Sequence, residues 1–96
     1  MTNIHNLMED IVKECLKDLM QREEALALAT EQQTNDMMAI ALNRLPPKYV
    51  TTAQGEIFSK TQLRAQVETD VYQELYKAMD RVLRTRRSGI FNRDKS

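Results

Sequence analysis

Apolar residues at Ile4, Leu7, Met8, Ile11, Val12, Cys15, Leu16, Leu19 and Met20 recur at i, i+3, i+4 and i+7 spacing. That period predicts an amphipathic helix over residues 3–28, with Thr2 or Asn3 as its cap. Glu9, Asp10, Lys13, Glu14, Lys17 and Asp18 fall on the opposite face and read as a solvated surface. The run 30–35 (Thr-Glu-Gln-Gln-Thr-Asn) reads as a polar break. Thr34 or Asn35 then caps a second helix over residues 36–44. Its run Met37-Met38-Ala39-Ile40-Ala41-Leu42 is apolar on nearly all sides, which predicts a central position in the fold. Pro46 ends it, because the residue before a proline is pushed out of the α region.

Residues 47–52 are extended in character, Gln54-Gly55 resembles a turn, and Glu56-Ile57-Phe58 resumes extended, so a short hairpin is compatible with the pattern. Ser59-Lys60-Thr61-Gln62 matches a capping box opening a long last helix. Its stripe is Leu63, Val67, Val71, Leu75, Met79 and Val82, widened by Tyr72, Ala78 and Leu83, with Gly89 as the stop. The predicted class is all-α: three principal helices, a short extended or turn segment after the central one, and a long C-terminal helix. Residues 1–89 form a single helical domain and 90–96 a frayed tail.

Length turns this pattern into an expectation about assembly. A last helix of roughly 28 residues extends about 42 Å, whereas a compact domain of this size has a radius of gyration of about 13 Å. Such a helix outruns its own domain and asks for more apolar cover than two other helices supply. A two-fold homodimer is the expected answer.

Composition changes the picture in one respect. The chain of 96 residues has 14 Lys+Arg and 14 Asp+Glu, for zero formal charge. That balance argues against a uniformly basic nucleic-acid coat. Yet residues 1–36 carry eight acids and three bases, and residues 37–96 eleven bases and six acids, so −5 is followed by +5. Two copies can pair these parts, or one chain can neutralise itself. No apolar run approaches the ~18 residues of a membrane span and the N-terminus lacks a signal-peptide shape, so the expected location is the cytoplasm.

The inventory for catalysis is thin. His5 and Cys15 are single residues about 15 Å apart along one helix, so they cannot share a metal. His5 is expected to be solvated and Cys15 packed in the core. There is no phosphate loop, and no enzyme is expected. The basic cluster Arg81, Arg84, Arg86, Arg87, Arg93 and Lys95 suits a helix C-terminus, where the macrodipole is negative. With no helix-turn-helix signature, nucleic-acid binding ranks last. Residues 43–52 concentrate different chemistry: Arg44 and Lys48 supply charge, Thr51 and Thr52 hydroxyls, and Tyr49 a stacking face. A phosphorylated ring and a plain structural turn fit this composition equally.

The segment Asn35-Asp36-Met37-Met38-Ala39-Ile40-Ala41-Leu42-Asn43-Arg44-Leu45-Pro46-Pro47-Lys48-Tyr49-Val50-Thr51 resembles the signature of the late competence development protein family, ComFB. The preceding Asn6-Leu7-Met8-Glu9 and the long last helix also fit, to about Leu83. The resemblance implies a small, helical, dimeric bacterial protein linked to competence, type IV pili or motility. Some members are receptors for cyclic di-GMP or cyclic di-AMP. Carried onto this chain, it puts Arg44, Lys48 and Arg64 on phosphates, Tyr49 on a base, and Asn43, Thr51 and Thr52 on hydrogen-bonding edges or phosphates. Some relatives bind zinc through a cysteine cluster before the central helix. Residues 21–34 hold no cysteine here, so neither zinc nor another cofactor is expected. The rival expectation is a structural adaptor that meets a downstream protein without any nucleotide.

Overall fold

The computed structural model describes residues 4–51 and 53–87, and for residues 53–59 and 85–87 the backbone alone. Thr2, Asn3, Thr52, Gly89, the tail 90–96, and the side chains of Arg86 and Arg87 therefore lie outside the described residues.

The first helix, α1, spans Leu7–Arg22. Its apolar stripe is buried without a gap: Leu7, Met8, Ile11, Val12, Cys15, Leu16 and Leu19 are all in the core. Ile4 and Met20, the outermost members of the predicted stripe, are instead exposed. The helix is shorter than expected at both ends, for separate reasons. At its start, His5–Asn6 form a two-residue strand, β1, and the cap is Asn6, whose Oδ1 accepts from the Met8 amide at 3.1 Å. At its end, Glu23 takes an extended conformation (ψ 113°) and a 3₁₀ turn follows at Glu24–Leu26. That turn folds Leu26 back into the core.

The second helix, α2, spans Glu31–Asn43 and so includes the polar run expected to be a break. Thr30 and Gln33 form a reciprocal capping box: the Gln33 amide donates to Thr30 Oγ1 at 3.1 Å, and the Thr30 amide donates to Gln33 Oε1 at 2.9 Å. This satisfies two backbone donors that a helix start otherwise leaves open. The Thr-x-x-Gln signature lay in the sequence, inside residues that only looked like a loop. The central position expected for α2 is also corrected. Only Met37 and Ala41 on it are fully buried, while Met38, Ile40 and Leu42 are half-buried. The middle of the core belongs to α1.

The strand β2, Tyr49–Val50, pairs antiparallel with β1, placing His5 opposite Val50 and Asn6 opposite Tyr49. This ribbon replaces the hairpin compatible with residues 47–58. The third helix, α3, runs over Ala53–Arg87, 35 residues, straight through the expected Gln54-Gly55 turn and the expected cap at Ser59. One glycine costs a helix only about 1 kcal/mol, which a helix this long absorbs. The α3 stripe faces the core as expected, but Ala78 from its flank is buried while Val67 and Met79 from its centre are not fully so. Leu63, Val71, Leu75, Ala78 and Val82 are buried, and Val67, Tyr72, Met79 and Leu83 pack partly against them. All three helices contribute to one hydrophobic cluster. The radius of gyration is 15.1 Å, above the value of about 13 Å for a compact domain this long.

Candidate functional site

The strip after α2 is shaped by what its backbone can and cannot bond. The α2 helix closes at Arg44, whose amide donates to the Ala41 carbonyl at 3.0 Å. Leu45 follows as a buried anchor, and Pro46 and Pro47, exposed, offer no N–H. Lys48 is bracketed by α1: its amide donates to Asn6 Oδ1 at 2.8 Å, and its carbonyl accepts from the Leu7 amide at 2.7 Å. Pairing with β1 then turns the half-buried Val50 inward and leaves Tyr49 outward, 62% exposed. Asn43, Arg44, Lys48, Tyr49 and Thr51 thus share one exposed stretch of chain.

Arg64 sits in different surroundings. Its guanidinium meets Glu14 at 2.9 Å, Asp18 at 3.1 Å and Glu68 at 3.2 Å, bridging α3 to α1. Lys60 adds a pair to Glu14 at 2.9 Å. Shallow depressions of about 310 and 370 Å³ flank Arg64, one lined by Glu14, Lys60 and Glu68, the other by Asp18, Arg22 and Tyr72. Hydrogen bonding to Lys60 and Arg64 outweighs burial and holds the Glu14 carboxyl below its ordinary value. Burial pulls Arg64 down, but its bonds to Asp18, Glu14 and Glu68 prevail and its pKa is raised. The acidic first part of the chain and the basic second part therefore meet inside one molecule at this point. Asp18 is exposed, as expected of a solvated face, and Glu14 is half-buried, but both are also partners in an interhelical network.

Aromatic rings continue this seam. Arg22 lies 5.1 Å from the centroid of Tyr72, the Tyr72 hydroxyl reaches Asp18 at 3.4 Å, and the Tyr76 hydroxyl donates to Glu23 at 2.7 Å. Beneath them burial pushes the Cys15 thiol up, the packed role expected of it. His5, expected to be solvated, contacts Asp10 at 2.8 Å.

Asn6 is the residue that sequence reading passed over. An asparagine just before an apolar stripe is a legible cap signal, but the bond from its side chain to Lys48, 42 positions away, is not.

Residues 5–86 match the family described as late competence development protein ComFB. The chain belongs to the ComFB family. A solved structure of the late competence protein ComFB from Bacillus subtilis is similar to it, with 26% identity and a TM-score of 0.69. That similarity covers 82% of this chain and 87% of the other. No curated protein matches the chain. The mainly helical ComFB fold expected from the signature segment, with its long last helix, is the fold observed. Within it, the signature segment is α2 together with the exposed strip. No helix among the described residues of this ComFB chain is long and apolar enough to cross a membrane.

Proposed function

We propose that this chain is a non-enzymatic cytoplasmic receptor for a cyclic dinucleotide, cyclic di-GMP or cyclic di-AMP, acting in competence, type IV pili or motility. The observation that carries the reading is the strip of the ComFB-family segment, where Lys48 and an outward Tyr49 are held at fixed register against α1. Arg44 and Lys48 contact phosphates, Tyr49 stacks on a base, and Asn43, Thr51 and Thr52 bond base edges or phosphates. Arg64 joins the phosphate contacts only by exchanging its carboxylates for them. A two-fold ligand suits a homodimer with the site near its axis. The 35-residue α3, about 52 Å long at 1.5 Å per residue, favours the same assembly. Calorimetric titration with both nucleotides tests the receptor; no heat with either at high micromolar concentration refutes it. Light scattering tests the dimer, which a mass of 11.2 kDa at micromolar concentration defeats.

A second reading, an adaptor that only captures a downstream protein, is favoured by the commitment of Arg64 to three carboxylates and by Leu28, 82% exposed on the turn before α2. On that reading Lys48→Ala and Tyr49→Ala alter folding or partner capture and leave nothing for a nucleotide to change.

A further inference from the structure

We infer that Asn6 is a positioning residue for the ligand strip, holding Lys48 and Tyr49 in their binding register from the head of α1; this rests on the cyclic-dinucleotide reading above. The two prolines have no N–H, so the Lys48 amide is the first backbone donor after Leu45. Its acceptor is the side chain of Asn6, at 2.8 Å. The ladder beyond it is only two residues long on each strand, and so short a ribbon is not stable alone.

The same Asn6 oxygen caps α1 through the Met8 amide at 3.1 Å. One atom therefore caps the core helix and holds the Lys48 amide, beside the bond that the Leu7 amide donates to the Lys48 carbonyl at 2.7 Å. Tyr49 lies directly opposite Asn6, so any slackening at Asn6 reaches the residues that face ligand. A site whose competent conformation is less populated binds more weakly by that fraction.

The two duties of Asn6 are separable by chemistry. Serine caps a helix as well as asparagine does, but its oxygen is one bond closer to the backbone and falls short of Lys48. Aspartate keeps an acceptor at the full reach. In Asn6→Ser the melting temperature changes little, while amide exchange at Lys48, followed by NMR, speeds up by roughly fivefold, the value of one lost hydrogen bond. The dissociation constant for whichever of cyclic di-GMP and cyclic di-AMP the wild type binds weakens roughly three- to tenfold. Asn6→Asp retains the slow Lys48 exchange.

Unchanged Lys48 exchange in Asn6→Ser overturns the inference, as does faster exchange with an unchanged dissociation constant. An unfolded Asn6→Ser beside a folded Asn6→Asp makes the role purely structural and also overturns it. If the wild type binds neither nucleotide, the receptor reading fails and takes this inference with it. If the wild type binds and Asn6→Ser binds equally well, the inference alone fails.

Discussion

Replacing Arg64 by methionine removes the cation that three carboxylates share, at 2.9, 3.1 and 3.2 Å, while keeping most of the apolar stem. An exposed ion pair contributes about 0.2–1 kcal/mol. Here the arginine side chain is 28% exposed and its carboxylates 38–52%, so each pair remains well screened. The three also share one guanidinium and do not add independently. Set against this, Arg64→Met leaves Glu14, Asp18 and Glu68 facing one another across the helix seam. The balance is a loss of about 1–2 kcal/mol, or a fall on the order of 5–15 °C in melting temperature for a domain this small. Urea unfolding followed by circular dichroism measures it. Arg64→Lys restores only part, because an ammonium cannot present a planar fork to several carboxylates. The loss shrinks on acidification. Glu14 has a lowered pKa in the folded protein, so its contribution is present above the ordinary carboxylate value of 4.5 and disappears as pH falls through the lowered one. If Arg64→Met costs as much in a Glu14→Gln, Asp18→Asn, Glu68→Gln background as in the wild type, the carboxylates are bystanders and the reasoning is refuted.

Other consequences follow from the same packing. Leu75→Ala empties a fully buried position between the helices and costs about 2–5 kcal/mol in urea unfolding; a cost under about 1 kcal/mol would contradict its place in the core. Thr30→Ala removes the capping box of α2 and destabilises the protein by about 1 kcal/mol, whereas Thr30→Ser is close to neutral. Burial pushes the Tyr72 hydroxyl up to about 12. Its stabilising contribution is therefore complete below the ordinary tyrosine value of 10.0 and lost as pH rises towards 12. Ultraviolet titration shows this late ionisation in the wild type, and Tyr72→Phe eliminates it.

Periodicity reported burial well where a single face was at stake. The stripes of α1 and α3 matched their observed faces almost residue for residue, because a helical period of 3.6 maps spacing directly onto a side of the cylinder. Boundaries were less legible. Polarity marks residues 30–35 as a break before α2, yet residues 31–35 are helical and Thr30 is their cap, with Thr30 and Gln33 bonding each other's amides. Gln54-Gly55 looked like a turn and lies inside α3, since a long helix tolerates a local cost that a short peptide does not. Within the candidate strip, exposure at Lys48 and Tyr49 agreed with their composition. Nothing local signalled that Arg64, beyond its i,i+4 neighbour Glu68, also reaches Glu14 and Asp18 on α1.

The linear pattern of this chain was enough to determine a helical ComFB-family protein with two one-sided helices, a proline-stiffened strip between the second and third, and an acidic half followed by a basic one. Those properties depend on near neighbours in the chain, and near neighbours are what a sequence displays. Which partners the polar groups chose was decided only in three dimensions. Glu14 and Asp18 found Arg64 across 50 and 46 positions, and Asn6 found Lys48 across 42. Such bonds form because burying the α1 stripe against α3 and α2 brings the helix edges together, and the polar groups at those edges then take the partners that packing puts within reach.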